Sequence, residues 1–274
     1  MSYFKLVHFE LSRVWKIYVG LIGLVLIGQL SAIWFGANQF MKELTQFARE
    51  KSISLKAAST HEEFYMNSPN GFLREPWFYY PIMASIAVLL LYMILIWYRD
   101  WFGKHAFIHR LLLLPTTRAP IYFAKLSTIM LLVFGLLALQ IVIFFIGAKM
   151  IAVMVPETLY DTVSLASFTE EGVFPLLLPA EALLFFAYYT LGFTFVTVVF
   201  SIILFERCFR LKGFFFGAIL AVCFVFLHVA PYAVANQFSL YPSESVLIHL
   251  GVTIFTLIFY TPLNLYLLKR KVTV

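Results

Sequence analysis

The chain has 274 residues, 62% of them hydrophobic and 12% charged, with a formal net charge of +6 and a mean hydropathy of +0.90. A soluble domain carries about a quarter charged residues, and no compact soluble fold of this length hides so much apolar surface from water. The composition therefore excludes a soluble enzyme, a disordered chain and a disulfide scaffold, and leaves a polytopic membrane protein.

Six apolar stretches follow one another: 17–35, 79–97, 126–155, 182–205, 214–229 and 246–268. None has a Lys, Arg, Asp or Glu at its centre. Lipid supplies no hydrogen-bond partners, so a spanning segment is a helix or a strand of a closed barrel. Barrel strands alternate polar and apolar residues. Runs such as Ile86-Ala87-Val88-Leu89-Leu90-Leu91 do not. The predicted fold is all-α, with six transmembrane helices in a single domain covering 1–274.

Residues Tyr3 to Trp15 precede the first span. At helical spacing Tyr3, Phe4, Val7, Leu11 and Val14 share one face and Lys5, His8 and Ser12 the other, which predicts an amphipathic helix lying in the inner interface. The alternative is a plain extension of the first span. The first stretch is long and lacks a good cleavage site, so it is expected to be an uncleaved helix. The loop 36–78 opens with a predicted helix, Asn38 to Leu55, and becomes turn-rich at Asn67-Ser68-Pro69-Asn70-Gly71. His61, Glu62 and Glu63 within it read as a solvated acidic turn, since no second histidine cluster makes a metal site.

Between the second and third spans lies the most informative stretch, Tyr98 to Leu126. Phe107, Ile108, Leu111, Leu112 and Leu114 fall on one arc of a helix, and His105, His109, Arg110, Ala106 and Leu113 on the other. Pro115 stops that helix, and Pro120 can open the next. About ten residues cannot cross a bilayer. The segment is expected to lie flat beneath the membrane, its mixed face serving a protein partner or anchoring basic side chains on anionic headgroups.

The acidic segment Glu157 to Glu171 follows the third span, and the fourth helix is expected to begin near Ala180, leaving Glu181 at the outer boundary. Gln29, Gln140, His228 and His249 are the polar residues inside spans. Such residues mark pathways or make single interhelical hydrogen bonds. Residues from Pro231 to Ser245 predict a broken or re-entrant hairpin. Cys208 and Cys223 are expected as thiols outside any disulfide.

Placing the N-terminus inside puts 14 of the 20 Lys and Arg residues in inner segments, among them Lys5, Arg13, Arg99, Lys104, Arg110, Lys125 and Arg207, and 11 of the 14 acids outside. Inside-high Lys and Arg is the usual bias, so both termini are predicted to be cytoplasmic. The chain has no G-x-x-x-x-G-K-[ST] and no H-E-x-x-H motif. Catalytic residues and a bound metal are not expected.

An inward amphipathic N-terminal helix, six spans, and a basic loop whose short helix ends in Leu114-Pro115, followed by Thr116-Thr117-Arg118 and Ala124-Lys125, resemble the permease subunits of the ABC type-2 exporter family. The resemblance implies that Lys104 to Leu114 is a cytoplasmic coupling helix, with Lys104, His105, Phe107, His109, Arg110 and Leu113 meeting an ABC ATPase subunit. It implies coupling-network acids, for which Glu10 and Asp100 are the nearest candidates, and pathway polar residues Gln29, Gln140, Glu181, His228 and His249. It further implies no cofactor on this chain, ATP and Mg in the ATPase, a second identical or homologous permease chain, membrane lipid as surroundings, no nucleic acid, and a bacterial plasma membrane. The expected activity is ATP-driven export or expulsion of an amphipathic peptide, antimicrobial or lipid-like cargo. An ATP-independent carrier or channel and a non-transporting scaffold or sensor are the alternatives.

Overall fold

A computed structural model describes residues 3–59, 76–102, 118–155 and 174–270. Among these residues there is no strand. The helices are α1 (Tyr3–Glu50), α2 (Leu55–Ser59), α3 (Pro76–Phe102), α4 (Ala119–Met154), α5 (Phe174–Leu177), α6 (Ala182–Phe238) and α7 (Pro242–Arg270). The predicted coupling helix 104–114 lies outside the described residues, as do residues 61–63 and the acidic segment 157–171.

Among the described residues five helices are long and apolar enough to cross a membrane: α1, α3, α4, α6 and α7. The chain is an all-α, multi-pass membrane protein. Six separate spans were expected, and the fourth and fifth are instead joined in α6. That helix runs for 57 residues and holds one residue off the helical conformation, Arg210, at φ 56° and ψ −135°. The chain folds back there. A Cβ added at Gly217 would lie 2.8 Å from Ile202 Cα, and one at Gly213 would collide with the Phe205 carbonyl. In a straight helix residues 202 and 217 would stand about 22 Å apart. Val198 and Phe224 accordingly share a small core with Tyr260 of α7.

Two further expectations are corrected. The N-terminal amphipathic helix is not a separate interfacial element: α1 is continuous through the first span to Glu50, 48 residues in all, and absorbs most of the helix predicted from Asn38. No proline lies between Tyr3 and Glu50, so the helical ladder runs unbroken and pairs the interior peptide groups. The chain turns at Ser52, in the left-handed region (φ 54°), with the Ile53 amide donating to the Ala48 carbonyl at 2.9 Å. The re-entrant hairpin at 231–245 is also absent. Helix α6 continues through Pro231 to Phe238, because losing one ladder bond costs less than leaving a whole segment unpaired. It ends at Ser239, also left-handed. Helix α7 then starts at Pro242, with Glu244 accepting from the Tyr241 amide at 3.0 Å.

Two compact units can be distinguished. One takes the described residues within 1–14, 88–132 and 181–274, and the other those within 15–87 and 133–180. The second unit is held by an apolar core that includes Ile33, Phe40, Leu44, Phe78, Ile82, Ile143, Ile151 and Phe174. Within it Gly28 lets α1 approach α3, since a Cβ there would sit 2.5 Å from Pro81 Cγ. Neither cysteine is in a disulfide.

The reversal in α6 makes two tests available. An Arg held at positive φ stores about 1–3 kcal/mol, so Arg210→Gly is expected to raise the thermal midpoint in detergent and Arg210→Val to lower it. Gly213→Ala is expected to lower that midpoint, whereas Gly20→Ala, with open space around it, is expected to be neutral or stabilising by up to about 1 kcal/mol.

Candidate functional site

Three helix segments of the first unit converge on the side chain of Lys125: the first turns of α1, the last turn of α3 and the second turn of α4. Leu6, Val7 and Val14 form the buried apolar face of the α1 segment, and the Tyr3 hydroxyl meets Ser127 Oγ at 2.6 Å. Glu10 faces inward on the same stripe. Helix α3 presents Trp97 and Asp100, both fully buried.

Lys125 Nζ has three protons and uses all of them. It donates to Glu10 Oε1 at 2.9 Å and to the Ile96 carbonyl at 2.8 Å, and it also donates to Asp100 Oδ2. Arg13 Nη1 donates to the second Asp100 oxygen, Oδ1, at 2.7 Å. Arg99 Nη2 donates to the second Glu10 oxygen, Oε2, at 2.8 Å. Each carboxylate thus shares the lysine and accepts a hydrogen bond from one arginine, and Arg13 Nη1 also lies 3.7 Å from Glu10 Oε2. The Lys125 ammonium also sits 5.2 Å from the Trp97 ring centroid, and the Arg13 guanidinium 4.9 Å from that of Phe9.

The side-chain exposure of Lys125 and Asp100 is 0%, and that of Glu10 6%. Arg13 and Arg99 keep 23% and 29%. The two arginines form the wet rim of the cluster, and the lysine and two carboxylates its dry centre. With three cations and two anions the group carries one net positive charge. Helix dipoles do not account for it. A cation near the start of α4 and an anion near the end of α3 both oppose the local partial charge. The side-chain pairing is strong enough to override that preference.

Two further ties extend the network. Asn264 of α7 donates to the Tyr122 hydroxyl at 3.1 Å and to the Thr197 carbonyl at 2.9 Å, joining α4, α6 and α7. The Phe200 ring lies edge-on to both Trp97 and Tyr122. Arg118, the first described residue after the 103–117 segment, donates to the Leu268 carbonyl at 2.7 Å. It caps the far end of α7.

The structure therefore brings together Glu10 and Asp100, the two acids singled out by sequence. It adds Arg13 and Arg99, which the sequence marked only as inside-facing positive charges, and Lys125, which it marked as one of those charges and as part of the Ala124-Lys125 motif, without a partner. Their Glu and Asp partners lie 115 and 25 residues from Lys125, and no local spacing rule reaches that far. Lys104, His105, Phe107, His109, Arg110 and Leu113 lie outside the described residues.

The polar residues of the spans form separate pairs. In the second unit Gln29 donates to Gln140 at 3.0 Å, both buried. In the first, His228 Nε2 lies 3.3 Å from Thr253 Oγ1, and the Tyr232 and His249 rings are 4.1 Å apart. Glu181 is exposed and precedes α6 without a side-chain capping bond. Among the described residues no group of His, Cys, Asp and Glu could hold a metal.

Removing the lysine leaves two dry carboxylates with one arginine each. Breaking a buried pair in this way costs about 3–5 kcal/mol. Lys125→Met is expected to lower stability by that amount. Lys125→Met combined with Asp100→Leu is expected to recover more than half of it, measured by thermal unfolding in detergent.

No family model, curated protein or solved structure matches this chain.

Proposed function

We propose that this chain is the transmembrane permease subunit of an ATP-driven transporter of the ABC type-2 exporter class, moved by a separate ATPase. The observation that carries the reading is the buried charge cluster at the roots of the 103–117 segment. Asp100 stands just before that segment, Lys125 a turn and a half after it begins again as helix, and Glu10 ties both to the N-terminus. A push on a short helix in that segment reaches α1, α3 and α4 through one ionic joint, and reaches α7 through Arg118. Rigid elements linked by such bonds are what a lever requires.

Counting each limb of α6 as a crossing gives six, with both termini on the cytoplasmic side of the cell membrane, in keeping with the Lys and Arg bias. The 103–117 segment then also lies in the cytoplasm, where Arg110 and Leu113 meet the ATPase. The chain lacks a phosphate-binding loop, so ATP and Mg are bound by that partner. A second permease chain completes the pathway, and the cargo is amphipathic.

Affinity purification in mild detergent is expected to recover a Walker-motif ATPase in equal amount. Arg110→Glu and Leu113→Asp are expected to release it without preventing membrane insertion. Arg13→Gln, at the wet rim of the cluster, is expected to keep the ATPase bound and to slow ATP-dependent efflux of a fluorescent amphipathic probe from vesicles. Recovery of the chain alone, still moving the probe without ATP, would establish the carrier reading instead.

A further inference from the structure

The second unit contains a cleft that none of the proposed machinery uses. It lies between residues 24–39 of α1 and 77–84 of α3, with a volume of about 920 Å³. Small residues, Gly28, Ala32 and Ala84, line it, so the two helix backbones leave a trough there. Ser31 also lines it, but its hydroxyl is turned back to the Gly28 carbonyl at 2.8 Å. The deep end is hydrocarbon: Leu24 and Ile27.

The other end is polar. Gln39, Trp77 and Tyr80 line the mouth. Trp77 and Tyr80 are 73% and 59% exposed, and such rings settle at the headgroup level. Proline at 81 has no N–H, so the helical ladder of α3 offers nothing to the Trp77 carbonyl. Gln39 donates its amide to Glu43 Oε1 at 3.0 Å, which keeps the Gln39 carbonyl oxygen as an acceptor and holds a carboxylate one helical turn beyond the mouth. Lys42 is exposed beside it.

Depth matches one leaflet. Leu24 to Gln39 spans about 22 Å of helix, against about 15 Å for half the hydrocarbon core. The cleft thus runs from near the bilayer centre to just past its edge. Acceptors and a carboxylate suit an ammonium, and the neighbouring lysine suits a phosphate.

We propose that this cleft binds one phospholipid of the outer leaflet, with an acyl chain in the trough and a zwitterionic, primary-ammonium headgroup at Gln39, Glu43 and Lys42. The choice of outer leaflet rests on the orientation given under the proposed function; occupancy does not depend on an ATPase, so the two ideas fail separately.

The test is native mass spectrometry of the full chain released from nanodiscs of equal phosphatidylethanolamine and phosphatidylglycerol. One retained phosphatidylethanolamine per chain is expected. Ala84→Trp and Ser31→Trp, at exposed lining positions, are each expected to abolish the adduct, and Glu43→Gln to remove the preference between the two lipids. A photoactivatable acyl chain is expected to label residues 24–36 and 77–84 of the wild-type chain, which keeps the test independent of any variant's folding. No retained lipid, an adduct unchanged in both tryptophan variants, a preference for phosphatidylglycerol, or a retained mass belonging to a non-phospholipid cargo would each overturn the proposal.

Discussion

A lysine ammonium with no access to water governs one end of this molecule. Moving a single ion out of water costs several kcal/mol even after relaxation, and Lys125, Asp100 and Glu10 are all taken out together. The arrangement is tolerable because the lysine ammonium and all four carboxylate oxygens have partners and because two part-wet arginines complete the carboxylates. The same bookkeeping makes the joint all-or-none. A partly assembled cluster would strand a dry charge, so these segments of α1, α3 and α4 are expected to engage together rather than one at a time. An element with two discrete arrangements is what a mechanical device needs, whereas a greasy helix contact could slip by degrees.

The apolar surfaces behave differently. Long exposed stripes such as Phe215, Ile219, Val222, Phe226 and Val229 on α6 would be aggregation-prone in water and are ordinary in lipid. Lipid provides little hydrophobic drive for helix association, so close approach and polar ties do that work. Gly28 against Pro81, Gly217 against Ile202, and Asn264 reaching two helices at once are the local means.

Sequence reading located the membrane helices because hydropathy is a property of each segment alone. It located the start of α4 and of α6 within a few residues, because prolines and a charge boundary mark them. It held the continuity of α1 only as the alternative, since amphipathic pattern says which face is polar and not whether the axis bends. The reversal itself was legible, since the charged stretch Glu206 to Lys212 separates the fourth and fifth apolar runs, but its confinement to one residue was not: a positive φ normally announces itself with glycine or asparagine, and here Arg210 fills it. Of the cluster, Glu10 and Asp100 stood out as isolated acids among inner basic residues. Lys125 entered only through the Ala124-Lys125 motif, because the role of one lysine near a span start stays hidden until its distant partners are placed beside it.

That reversal has a consequence for how the chain enters a bilayer. With a single residue between them, the two limbs of α6 have no tether long enough for one to be threaded while the other waits. They would have to partition sideways from the translocation machinery as a preformed pair, and an epitope tag cut into residues 206–212 would be expected to arrest biogenesis rather than merely lengthen a loop.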